Sequence, residues 1–234
     1  IIDMIEFKSC SVEIYSVLWM AIEYGQSLII SGGTAAGKTT FLNVLCSLLI
    51  FNQKVVSIED TLELKLPPSL FWIPLNTRKP NAEGKGEITM YDLLINSLRM
   101  RPDVIAFGEV RRGDDARELF EAMHTGHTVF ATVHANSMKE TIQRLIHPPI
   151  EVPPAELGAI GLNVVCWKNS RLGYRRVREL GEFIVKEEGS QLKIIPNILY
   201  KYDPASDSIK PFQKSLNFFQ KVRDLTGMSD KEIK

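Results

Sequence analysis

Gly32-Gly33-Thr34-Ala35-Ala36-Gly37-Lys38-Thr39 fits the spacing G-x-x-x-x-G-K-[ST]. A run of this kind can wrap nucleotide phosphates. Its glycines let the backbone turn until successive N–H groups aim at one anion, and the helix behind it adds the positive end of its dipole. Lys38 would then reach the β- and γ-phosphates, the Thr39 hydroxyl would ligate Mg²⁺, and Thr40 would close the nucleotide site. The flanks favour this over a chance Gly-rich turn. Ser27 to Ile30 reads as a short buried strand, and Thr40 to Ile50 carries Phe41, Leu42, Leu45, Leu48 and Leu49 at helical spacing.

Splitting a nucleotide needs a Mg²⁺ ligand shell, a carboxylate to orient the attacking water, and cations for the charge on the γ-phosphoryl group. Val104 to Phe107 reads as a buried strand ending in Gly108-Glu109. Open α/β sheets bind ligands at the carboxyl ends of their strands, so Glu109 is the candidate for polarising water. Gly108 stands where an Asp is usual, so metal contact from this strand would run through water. Glu59, Asp60 and Glu63 follow a second strand, Lys54 to Ile58. They could hold Mg²⁺ waters or act as a base, or simply cap and charge a helix start. His127 and His134 bracket a strand within TGHTVFATVHAN. A metal site with Glu121 and His124 lacks helix-borne or Cys-rich spacing. The alternatives for His134 are a buried strand-end histidine and a γ-phosphate sensor, the preferred reading. Arg78, Arg99 and Arg101 are candidate arginine fingers. The cluster Arg171, Arg175, Arg176 and Arg178 reads as a solvated strand face.

The elements that must position these residues alternate. Val12 to Tyr24 is helix-like. Met90 to Arg101 and Asp114 to Met123 read as further helices, and Val129 to Val133 as a strand. Pro67, Pro68 and Pro74 break the chain, and NAEGKGE at 81–87 is a polar loop. Buried strands alternating with helices predict an α/β fold with a mostly parallel sheet covered on both faces. After Pro148-Pro149 and Pro153-Pro154 come short strands (Leu162 to Trp167, Arg175 to Val185, Leu192 to Tyr200) and a helix, Ser215 to Leu225, with a turn at Glu188-Gly189-Ser190. The expected division is a core over 1–150 and a small strand/helix appendage over 151–234.

The chain has 234 residues, 44% hydrophobic, with formal net charge +0. That supports a substantial core and gives no field drawing it to nucleic acid or acidic lipid. Cys10, Cys46 and Cys166 are scattered, without metal or disulfide spacing. No apolar run is long enough to span a bilayer, and no secretory signal is evident. The chain opens on Ile1, which suggests a fragment.

Four segments, in order over Ser27 to Ser137, resemble the type II/type IV secretion ATPase superfamily: GGTAAGKTT its Walker A, VVSIEDTLEL its Asp box, LRMRPDVIAFGEVR its atypical Walker B, and TGHTVFATVHANS its His box. The stretch from Trp72 to Asp103 and HPPIEVPPAEL look most like the archaeal branch. The resemblance implies a RecA-type P-loop NTPase core that hydrolyses ATP with Mg²⁺, with phosphate binding at Gly37, Lys38 and Thr39, catalysis at Glu109 and Glu63, and γ-phosphate sensing at His134. It also implies a homo-hexamer and an N-terminal domain additional to this chain. Ala35 departs from the Gly of many members and is tolerable if its φ is negative. The Cys-pair zinc motif of bacterial pilus-extension ATPases is absent.

The expected function is Mg²⁺-dependent ATP hydrolysis driving a hexameric motor for secretion or for assembly of a type IV pilus-like or archaellum filament. Its expected partner is a polytopic membrane platform protein, with peripheral attachment at the cytoplasmic face of the membrane and no nucleic acid. Two other classes compete. A helicase-like nucleic-acid motor would be stimulated by single-stranded DNA, and a non-hydrolysing regulatory module would bind ATP without turnover.

Overall fold

A computed structural model describes residues 1–189 and 191–229. Ser190 of the expected turn and positions 230–234 lie outside them. The strands β1 (Leu28–Gly32), β2 (Lys54–Glu59), β3 (Phe71–Asn76), β4 (Val104–Phe107), β5 (Thr128–Val133), β6 (Leu162–Lys168), β7 (Arg175–Glu188), β8 (Gln191–Asp203) and β9 (Ser208–Pro211) form one nine-stranded sheet. Its order is β3-β2-β4-β5-β1-β6-β7-β8-β9. The first six strands pair in parallel and the last three in antiparallel fashion. The fold is α/β with a mostly parallel sheet, as the alternation predicts.

The helices are α1 (Ile2–Glu6), α2 (Val12–Glu23), α3 (Lys38–Cys46), α4 (Met90–Leu98), α5 (Gly113–His124), α6 (Met138–Ile146) and α7 (Phe218–Thr226). Strand side chains alternate between the two faces of the sheet. Leu28 and Ile30 join Phe41 and Leu45 of α3 and Leu18 of α2 on one face. Ile29, Ile105 and Phe107 join Leu94 of α4, Leu119 of α5 and Ile142 of α6 on the other. The parallel strands are buried on both faces because helices cover both. Helix starts follow local chemistry: Ser11 and Ser137 accept backbone N–H groups at N-caps, and Thr89 with Asp92 forms a capping box. No helix among the described residues is long and apolar enough to cross a membrane.

Several predicted elements shift, β7 and β8 running three residues past their expected ends at Val185 and Tyr200, and others are added. The helix after the P-loop ends at Cys46 rather than Ile50, where Ser47 Oγ turns back to the Val44 carbonyl. Helix α4 stops at Leu98; Arg101 is left-handed at φ 52 and precedes Pro102, which disfavours continued helix. The terminal helix begins at Phe218 instead of Ser215. The proline-broken stretch contains β3, and Pro74 is accommodated because β3 is an edge strand. Helices α1 and α6 and strand β9 are further additions.

Among the described residues, those after 150 do not form a separate sheet. Strand β6 pairs with the P-loop strand β1 across five positions, Leu28↔Leu162 to Gly32↔Cys166, so the chain beyond 150 extends the same sheet. Glu182 of β7 anchors the segment that leads into α7. It is 1% exposed, and its carboxylate accepts from Asn197 Nδ2 at 2.7 Å, from Ser215 Oγ at 3.1 Å, and from the backbone N–H groups of Leu216, Asn217 and Phe218 at 2.6, 3.2 and 2.6 Å. Glu182→Gln puts an amide NH₂ against donors. The expected loss is about 2–3 kcal/mol of stability, from buried donors left unpaired. Denaturant unfolding measures it, and an unchanged midpoint would show that α7 is held by other contacts.

Candidate nucleotide site

The parallel strands deliver their carboxyl ends to one edge of the sheet, and the P-loop connects β1 to α3 there. Gly37 is the N-cap of α3 at φ 95, a conformation only glycine adopts freely. Ala35 is also left-handed, at φ 57. The condition for tolerating Ala there, a negative φ, is not met, and such a backbone costs a residue with a Cβ about 1–2 kcal/mol. Arg175 Nε donates to the Ala35 carbonyl at 3.0 Å. Lys38 Nζ donates to the carbonyls of Gly32 at 3.0 Å and Gly33 at 3.2 Å, which holds the ammonium across the loop.

A cleft of about 900 Å³ opens over the loop, within the size range of small-molecule sites. Thr34 through Thr40 line it, and Glu63, Glu109 and His134 converge on it from three other segments. His134 Nε2 lies 3.1 Å from Thr34 Oγ1, so the loop after β5 touches the P-loop directly. Beneath it, the buried Ser31 Oγ accepts from Thr141 Oγ1 and Asn163 Nδ2, both at 2.8 Å, tying α6 and β6 to the root of the loop. Glu109 follows β4, with its side chain 25% exposed. Arg111 bridges two carboxylates there: Nη2 to Glu109 at 2.8 Å and Nη1 to Asp60 at 2.9 Å. At Gly108 an added Cβ would lie 3.2 Å from the Ile58 carbonyl and 3.5 Å from Glu59 Cα. The close approach of β2 favours glycine where an Asp is usual.

Two acids expected at Mg²⁺ face elsewhere. Glu59 is 3% exposed, and its Oε1 accepts from Glu63 N and Leu64 N at 3.1 Å each, folding the turn after β2. Its Oε2 is buried with no hydrogen-bond partner among the described residues, and burial holds its pKa above the usual carboxylate range. Asp60 lines a neighbouring cleft of about 360 Å³ and is bound to Arg111. Thr39, Glu63 and Glu109 remain on the P-loop cleft, an oxygen donor set that suits Mg²⁺ held partly through water. Histidines 127 and 134 sit at opposite ends of β5, and His124 pairs with Glu156, so the imagined histidine metal site does not assemble.

Arg78 lines the neighbouring cleft, its Nε donating to the Gly86 carbonyl at 2.7 Å. Arg99 and Arg101 precede β4, so they lie at the end of the sheet opposite the P-loop and do not reach it within the chain. Arg171, Arg175 and Arg178 are exposed, as a solvated face requires, and Arg176 departs from it. Arg175 lines the P-loop cleft. Arg176 is 8% exposed, pairs with both Asp207 carboxylate oxygens at 2.9 Å, stacks 4.4 Å from the Tyr174 ring centroid, and donates to the Phe7 carbonyl at 2.9 Å. That last bond fastens the C-terminal end of α1, and Met4 within the helix and Phe7 just after it form an apolar wall of the cleft. These long-range contacts left no trace in local spacing.

A phosphate loop on the central strand of a mostly parallel sheet, with an acid at a neighbouring strand end, is the architecture of the P-loop nucleotide hydrolases. The chain belongs to the Type II/IV secretion system protein family, whose sequence profile matches residues 17–156. An uncharacterized protein of Methanocaldococcus jannaschii is 37% identical over 236 residues, covering 99% of this chain and 85% of its own length. Competence protein ComGA of Streptococcus pneumoniae is 36% identical over 140 residues, 60% of this chain and 41% of ComGA. The crystal structure of the VirB11 ATPase from the Brucella suis type IV secretion system superposes with a TM-score of 0.61 at 25% identity, covering 73% of this chain and 52% of VirB11. The chain thus spans about half of VirB11 and less of ComGA.

Proposed function

We propose that this chain hydrolyses ATP with Mg²⁺ as the working core of a ring-forming motor. The motor would drive secretion or assembly of a type IV pilus-like or archaellum filament. The convergence of the P-loop, Glu63, Glu109 and His134 on one cleft carries this reading. In it, the P-loop N–H groups and Lys38 bind the β- and γ-phosphates. The Thr39 hydroxyl would hold Mg²⁺, with Glu63 and Glu109 placed to receive its waters, and the bound ion would supply charge neutralisation at the phosphate oxygens. Glu109, aimed by Arg111, orients the attacking water and takes its proton. His134 donates to the γ-phosphate and passes its loss to the loop through Thr34. The proposed setting is a homo-hexamer on a polytopic platform protein at the cytoplasmic face of the membrane. A phosphate-release assay on the purified chain tests the activity, and binding of ATP without turnover would favour a regulatory module.

A neighbouring subunit is proposed to complete the site with Arg78, Arg99 or Arg101. Mixing Lys38→Ala chains with chains carrying one of these as Ala is expected to restore part of the activity for the true finger. Some interfaces then pair an intact P-loop with an intact arginine. No recovery for any of the three, in a preparation shown to form mixed oligomers, would rule out a finger in trans.

A further inference from the structure

We propose that Arg175 is a phosphate-binding residue of the nucleotide site, supplied from β7 at the far end of the sequence from the P-loop; this rests on the nucleotide-site reading above. Arg175 begins β7 opposite Lys168 of β6, which brings it to the same sheet edge as the P-loop. Its stem crosses the base of the loop so closely that a Cβ added to Gly37 would lie 3.2 Å from Arg175 Cδ. Its Nε is committed to the Ala35 carbonyl at 3.0 Å. Its Nη1 and Nη2 carry no hydrogen bond or ion pair among the described residues, and the residue lines the cleft with Lys38 and Thr39.

A guanidinium fixed by its inner nitrogen and free at its two outer ones is a fork waiting for a planar pair of oxygens. Phosphate provides such a pair, and the fork matches it bidentately. The usual entropy cost of ordering an arginine on binding is partly removed beforehand, because stem and Nε are already held. The backbone under it is rigid too: the Arg175 carbonyl accepts from Arg176 Nη1 at 2.8 Å, and Arg176 is locked to Asp207. Arg175 sits beside Gly37, at the start of α3, next to the loop turn read above as holding the β-phosphate, a group that nucleoside di- and triphosphates share. It is a binding residue for nucleoside di- and triphosphates alike. The same side chain props the left-handed Ala35, so a test must separate the two roles.

Titration calorimetry of the full chain with ADP and with ATP makes that separation. Arg175→Gln is expected to weaken both by roughly tenfold, the scale of one charge-assisted hydrogen-bonded contact. The difference from wild type should shrink as salt is raised. Arg175→Lys keeps charge and stem without the fork and is expected to recover part of the loss. It also serves as the test variant if Gln impairs folding. Ala35→Gly removes the need for a prop, since glycine adopts the angle freely. The double variant Arg175→Gln/Ala35→Gly should stay as weak as Arg175→Gln. Wild-type affinity in Arg175→Gln, with binding lost in Lys38→Ala, overturns the proposal alone. So does full recovery in the double variant, which would make Arg175 a prop only. Wild-type affinity in Lys38→Ala overturns the nucleotide-site reading itself.

Discussion

Lys38→Ala is expected to abolish ATP turnover and weaken nucleotide binding. The Lys38 ammonium is the cation placed across the concave face of the loop, within 3.0 and 3.2 Å of two of its carbonyls. The loop's other groups on the cleft are backbone N–H dipoles and threonine hydroxyls, so this residue carries the loop's formal charge toward the β/γ oxygens. Loss of one preorganised donor costs turnover roughly 10²–10³-fold. Here a charge goes with it, so phosphate release should fall at least that far. The fold should survive, because helix α3 is anchored by Phe41, Leu42 and Leu45 in the core, away from the lysine. Wild-type-like hydrolysis by Lys38→Ala would sink the assignment of the loop.

Glu109→Gln should separate binding from chemistry. The amide keeps the size of the side chain and still accepts from Arg111, which stands 2.8 Å away. It cannot take a proton from water. ATP affinity is expected to hold while kcat falls by roughly 10²-fold or more, the scale of losing a general base. The two quantities must be measured side by side. Equal losses in both, or an unchanged kcat, would mean that Glu109 only secures Arg111 and the end of β4.

The parts of the site legible in the sequence are those where chemistry and local pattern coincide. Val104 to Phe107 is a continuous apolar run, and β4 has the same bounds because only a strand covered on both faces tolerates four such residues in a row. That run placed Glu109 at the sheet's carboxyl edge. The acids after β2 were harder. Glu59, Asp60 and Glu63 share charge and neighbourhood, but Glu59 is the last inward residue of a buried strand, and Asp60 is drawn aside by Arg111. Only Glu63 reaches the cleft. Arg175 and Ala35 are 140 residues apart, and a contact of that separation has no period to read. Strand β3 was hidden for a local reason: Pro74 argues against a central strand, and the sequence does not say which strand lies at the edge. The prolines near 150 read as a boundary, whereas they mark the crossing that returns the chain to β6, beside β1.

Pro74 has a consequence for how copies of this chain can meet. A sheet ends in rows of open N–H and C=O groups, which invite a strand from another molecule. Here one border is β3, with Pro74 in its interior, and the other is β9, four residues ending in Pro211. A proline within a paired strand must turn its missing donor outward, and its ring stands in the path of an incoming backbone. Both borders are thereby blunted against sheet-to-sheet growth. Molecules crowded together at high local concentration are steered away from fibrous stacking, and contact between copies is left to loops and helical faces, where geometry can close instead of running on.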